Sequence, residues 1–167
     1  MKTEITIPLK YPVGDVSALT MRRPRASDVL AATARADDET DEKINLVANL
    51  CMVSPETIGE LDAADFGIVD EALAELIAFE PVREYQAGQP IALGIPITIA
   101  GGTLVETVKL CRPKVKDIRE ARKANGSEAA QEFVLFATLG GVGLEEIKAL
   151  DWADYLKLKA IYSDLLA

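Results

Sequence analysis

Residues 19–78 of the chain reappear, without a gap, at a constant offset of 89 residues, and this internal repeat constrains the fold more than any other feature. Arg23-Pro24 aligns with Arg112-Pro113, Asp28 with Asp117 and Ala32 with Ala121. The offset persists through Leu46/Leu135, Leu50/Leu139, Glu56/Glu145 and Ile58/Ile147. It is densest at Leu61-Asp62-Ala63-Ala64-Asp65-Phe66 against Leu150-Asp151-Trp152-Ala153-Asp154-Tyr155. Fixed-period self-similarity means one structural unit used more than once. The expected organisation is therefore a first unit over residues 1–80, a linker over 81–90 and a second unit over 91–167. At this size each unit has a small core of limited stability.

Charge is divided unequally between the copies. Residues 1–80 hold 7 Lys+Arg and 16 Asp+Glu, a net of 7 − 16 = −9, whereas residues 81–167 hold 11 of each, a net of 0. Nucleic-acid binding requires a basic footprint, and docking on an anionic membrane requires the same; an acidic first half argues against both. The apolar stretch from Ile91 to Ala100 contains Pro96 and falls far short of a bilayer span. The start, Met1-Lys2-Thr3-Glu4-Ile5, has no apolar signal core, so a cytoplasmic protein is expected. Cys51 aligns with Gly140 and Cys111 with Arg22, so neither thiol belongs to a shared framework and both are read as reduced.

Within each unit the periodicity changes from two to 3.6. Residues about 3–22 alternate around Gly14-Asp15, and about 91–111 alternate around Ala100-Gly101-Gly102; both predict β-hairpins. Pro8, Pro12 and Pro96 fall in the first strand, where an edge position tolerates proline. Unpaired edges favour pairing, so the two hairpins are expected in one sheet. After Pro24 and Pro113 come three to four helices, over about 27–79 and 114–166. Ser27-Asp28 is read as a cap, Thr40–Lys43 as the start of a helix, and Ser54-Pro55-Glu56 as a strong helix start. Phe66, Val69, Leu73 and Leu76 step by 3, 4 and 3, as do Tyr155, Leu158, Tyr162 and Leu165, marking one buried helix face per unit. The fold class that follows is α+β, mostly helical, a tandem duplication of a hairpin-plus-helices unit.

The chemistry available is narrow. The chain has no His, which removes the usual general base and the commonest metal ligand, and it has no nucleophile elbow or phosphate loop. Asp62/Asp65 and Asp151/Asp154 have an i, i+3 spacing that could hold a hard cation. The first Asp of each pair also sits where a helix cap is wanted, and the second in the first turn, where the helix dipole favours negative charge. The acidic run 37–42 faces Asn125–Ala130, which has lost most of those acids, and Gly140-Gly141 aligns with Cys51-Met52 and reads as a helix-to-helix turn. No catalytic residue, metal or cofactor is expected. Candidate partner-binding residues are the cations at the strand-to-helix corners, Arg22, Arg23 and Arg25 with Arg112, Lys114 and Lys116, with pairing to the chain's own acidic surface as the alternative. To these are added the aromatics that a small core cannot fully cover: Phe66, Phe79, Trp152 and Tyr162.

The order of short motifs brings in a resemblance. Pro8-Leu9-Lys10-Tyr11-Pro12-Val13, Leu19–Pro24, Asp28-Val29-Leu30 and the Leu61–Asp65 step resemble the tail assembly chaperones of Mu-like phages and prophages. The second copy keeps Ile95-Pro96-Ile97-Thr98-Ile99, Arg112-Pro113, Asp117-Ile118 and Leu150–Asp154. The resemblance implies a non-enzymatic protein of the host cytoplasm, absent from the finished virion. Such a protein binds the tape measure protein and acts with the tail tube protein during assembly; self-association of the chain is a separate expectation. An alternative is a structural or adaptor protein that stays in the tail.

Overall fold

The structure is a computed structural model that describes residues 2–124 and 126–167. Asn125, in the counterpart of the acidic run, and Met1, in the N-terminal reading, lie outside the described residues. Two compact units form, one from Met1–Pro24 with Asp28–Ala78, the other from Arg25–Ser27 with Phe79–Ala167.

In the first unit, β1 (Glu4–Val13) pairs antiparallel with β2 (Val16–Arg22), and α1 (Ala26–Thr33), α2 (Glu39–Cys51), α3 (Pro55–Gly59) and α4 (Ala63–Ile77) follow. The second unit has β3 (Pro90–Thr98), β4 (Leu104–Lys109), α5 (Val115–Arg122), α6 (Glu128–Gly140), α7 (Leu144–Ala149) and α8 (Trp152–Leu166). Each hairpin is a separate two-stranded sheet, which corrects the expectation of one shared sheet.

The hairpins repeat as faithfully as the helices once a second offset is allowed. Ile7 pairs with Leu19 and Ile91 with Val108; Val13 pairs with Val16 and Ile97 with Val105. After the turn the offset is 105 − 16 = 89, but before it 97 − 13 = 84. The β3–β4 turn has gained five residues. The register slips at the same place in both copies, between Pro8 and Val13 and between Ala92 and Ile97. Each first strand is thus bulged, with Pro12 and Pro96 inside the slipped segment.

The helix ends follow local chemistry. Ser54 caps α3 by accepting from the Thr57 N–H, with Pro55 in the first turn. Asp62 and Asp151 cap α4 and α8 through the amides of Ala64 and Ala153. The cap of α2 is Asp38, which takes the amides of Thr40 and Asp41, so the helix opens just before the expected Thr40. At α1 the expectation needs correction: the helix already begins at Ala26, and Asp28 points to other partners described below.

The core of the first unit is aliphatic. Leu19, Met21, Leu50, Ile58 and Leu76 are fully buried, with Val47 and Val69 beside them. The second unit buries Leu110, Ile147, Leu150, Leu158 and Ile161 together with Phe136 and Tyr155. Burial of these side chains from both the hairpin and the helices supplies the main stabilisation of each unit. No helix among the described residues is long and apolar enough to cross a membrane.

Candidate functional site

The acid pairs singled out by sequence divide their labour. The first member caps its helix, as above. The second, Asp65 or Asp154, is buried and reaches the slipped segment of its hairpin. Lys10 and Tyr11 donate their N–H groups to the two Asp65 carboxylate oxygens at 3.0 and 2.8 Å. Gly94 N–H lies 2.8 and 2.9 Å from the two Asp154 oxygens and Ile95 N–H 3.1 Å from one of them. A bulge strips a strand of ladder partners, and an amide left unpaired inside a protein is costly. The carboxylate supplies those partners and ties hairpin to helix. The sequence reading placed this residue merely in the first turn of a helix, favoured by the dipole; its main task is this long-range latch. Lys157 joins the second latch, 3.2 Å from Asp154 and 3.0 Å from the Ala92 carbonyl. Among the described residues no group of His, Cys, Asp or Glu side chains is arranged to hold a metal ion.

The cationic corners differ between the copies. In the first unit Arg22 makes a two-pronged ion pair with Asp28 at 2.7 and 2.9 Å, which holds the guanidinium in its charged form. Asn49 adds a third bond to Asp28 at 3.0 Å. Arg23 is buried, with its amide on the Thr3 carbonyl and its guanidinium on that of Lys2. Arg25 is exposed. In the second unit Arg112, Lys114 and Lys116 are all exposed. Cys111 replaces Arg22, and Asp117, the counterpart of Asp28, turns back to accept the Lys114 amide at 3.0 Å.

The candidate aromatics are all half-buried. Phe66 packs on the aliphatic core of the first unit. Trp152 stacks on Tyr155 at 4.9 Å, and Tyr162 meets Phe136 edge-on at 5.5 Å. Tyr155 itself is buried and donates to Glu132 at 2.7 Å; burial first, then that carboxylate, raises its pKa. Phe79 follows the end of α4 by two residues and belongs to the second unit.

Sequence reasoning missed one further feature, a cleft of about 350 Å³ in the first unit. Asp28, Ala31 and Ala32 of α1, Asn45, Ala48 and Asn49 of α2, and Arg35, Val53 and Pro55 line it. Alanines on a helix carry no signal in sequence beyond helix propensity, so nothing local announces that their small side chains leave space between two helices.

Comparison with known proteins agrees with this doubled architecture. The family described as "Phage tail assembly chaperone proteins, E, or 41 or 14" matches residues 6–77 and again residues 91–167. No curated protein and no solved structure matches.

Proposed function

The chain belongs to the phage tail assembly chaperone family, and from that premise we propose that it binds its phage's tape measure protein, keeps it soluble and assists tail tube subunits to polymerise around it. The observation that carries this reading is that each repeat matches the family over nearly its whole length, so the chain is two chaperone units rather than one unit with an appendage. A tape measure protein is long and helical, and before assembly its apolar stripes invite aggregation. A chaperone for it needs reversible contacts, apolar surface in grooves and high solubility. The cleft between α1 and α2, lined by Asp28, Arg35, Asn45 and Asn49 beside Ala31, Ala32 and Ala48, offers a mostly polar recess for individual side chains of that partner. Phe66, Phe79, Trp152 and Tyr162 offer half-buried aromatic surface, and Arg112, Lys114 and Lys116 an exposed basic corner. The excess of acid in residues 1–80 supplies solubility. Two related units on one chain raise the effective concentration for a repetitive partner. On this reading the protein acts in the host cytoplasm by binding alone, without catalysis, cofactor or metal.

Co-expression tests it. The tape measure protein of the same phage is expected in the soluble fraction, and to co-purify with the chain, only when the chain is present. Equal solubility with and without the chain overturns the reading. Detection of the chain in purified particles at structural copy number would support instead a protein retained in the tail.

A further inference from the structure

The second unit contains a seated segment whose counterpart lies bare. Arg25–Ser27 belong to that unit, where Arg25 forms an isolated antiparallel bridge with Asp151 and Ala26 N–H donates to the Leu150 carbonyl at 2.9 Å. The contact is tight: Ala26 and Leu150 are both 0% exposed, and Asp151 is 5% exposed. Applying the repeat offset, 25 + 89 = 114 and 151 − 89 = 62, so the same contact written for the other halves joins Lys114–Lys116 to Leu61–Asp62. Both halves of that contact are open. Val115, the counterpart of Ala26, is 84% exposed and flanked by exposed Lys114 and Lys116. Asp62 is exposed and Leu61 only half-buried, and the Arg25–Asp151 bridge is the one isolated bridge among the described residues.

The geometry points to a second copy of this chain as the occupant: we propose that Lys114–Lys116 of one copy dock on Leu61–Asp62 of another, as Arg25–Ser27 dock on Leu150–Asp151. Three observations fit that occupant. The docked form of the contact is already present once per chain. The charges are complementary, two lysines meeting Asp62 in a half of net charge −9. Val115 supplies an apolar centre for Leu61 with a charged rim, the usual anatomy of an interface. Each copy carries both open halves, so two copies can exchange the contact reciprocally as a two-fold dimer, or copies can add head to tail into a ring or chain, according to the rotation at each contact. This inference gives Lys114 and Lys116 a second copy of the chain as partner in place of the tape measure protein, and its first tests need the chain alone.

Sedimentation of the full chain across a range of concentrations should show mass rising with concentration, and falling back to monomer as salt screens the lysines. Lys114→Glu/Lys116→Glu should weaken association at least tenfold, with an unchanged circular dichroism spectrum. Asp62→Asn, which keeps a good capping residue, should weaken it several-fold. A benzophenone side chain placed at 115 should crosslink to residues around Leu61 of a second copy. A chain that is monomeric at every concentration overturns the proposal, as does association untouched by the double lysine variant, or crosslinks that map elsewhere. Loss of tape measure capture in that variant, with a monomeric parent, would also overturn it and assign the surface to the tape measure protein.

Discussion

The two units share a backbone plan and fill it with different side chains. Where the first has Ile44, Val47, Ala63, Phe66 and Leu73, the second has Phe133, Phe136, Trp152, Tyr155 and Tyr162. Tyr155 is the hub of the second set, stacked on Phe133 at 4.6 Å and on Trp152 at 4.9 Å, with Phe136 at 5.3 Å. Its counterpart Phe66 lies half-buried at the margin of an aliphatic core. The invariants are the capping Asp, the latching Asp and the register slip. The comparison teaches that polar links to a bulged strand specify this unit, while the identity of its core can drift if volume is redistributed.

Truncating Tyr155 and its counterpart Phe66 should break the comparison most visibly. Tyr155→Ala empties a fully buried, three-sided aromatic site and should cost about 4 kcal/mol, whereas Phe66→Ala should cost about half as much because part of its ring already meets solvent. Urea unfolding of the two variants checks the ratio; equal losses would show that Phe66 is as central as Tyr155.

The latches come next. Asp65→Ala leaves the amides of Lys10 and Tyr11 without their acceptor and should cost about 3 kcal/mol. Hydrogen exchange should speed up at these two amides first. In Asp154→Ala the same acceleration should appear at Gly94 and Ile95. If the amides remain protected, the carboxylate is not what holds the bulge.

A smaller effect separates the caps. Asp62→Ala removes one capping bond at an exposed helix start and should cost about 1 kcal/mol. Asp151→Ala should cost more, because that residue is buried and bridged to Arg25. Thermal melts of the pair decide the order.

The smallest expected change is a gain. Met52 ends α2 in the left-handed region at φ 57° and is 89% exposed, and its counterpart Gly141 ends α6 at φ 61°. Met52→Gly relieves the Cβ clash, gives back part of the gain in unfolded-chain entropy, and should stabilise by about 0.5 kcal/mol. Gly141→Met should lose a similar amount. A shift in urea midpoint of the wrong sign in either would mean that the side chain of Met52 makes contacts that outweigh its backbone strain.

Much of this was legible in sequence because the signals were local or periodic. The 3-4-3 stripes, the Ser54-Pro55 start and the helix-to-helix turn at Gly140-Gly141 each need only a few neighbouring residues, and the offset of 89 needs only the chain laid against itself. Cys51 is expected as a reduced thiol; the structure leaves it free and half-buried against the core, and burial pushes its pKa up to about 11. What stayed hidden acts across long separations. The latches join residues 54 to 60 positions apart, and an Asp in a first helical turn looks the same whether or not a distant strand comes to meet it. The corner arginines share one motif, yet Arg23 is buried with its amide and guanidinium on the Thr3 and Lys2 carbonyls, 23 − 3 = 20 or more positions away, while Arg112 is exposed. The second offset was in reach: Pro12 and Pro96 lie 96 − 12 = 84 apart.

The unequal hairpin turns have a practical corollary. Five extra residues were absorbed between β3 and β4 while the strand pairing on either side kept its match to the first copy. Lengthening a closed loop costs only slowly growing chain entropy, and the latch fixes the strand well before the tip. The tip is therefore a permissive graft point. A short epitope or a dye-labelling tag spliced in after Gly101 would mark the protein in living, infected cells while leaving both latches and both helical faces as they are.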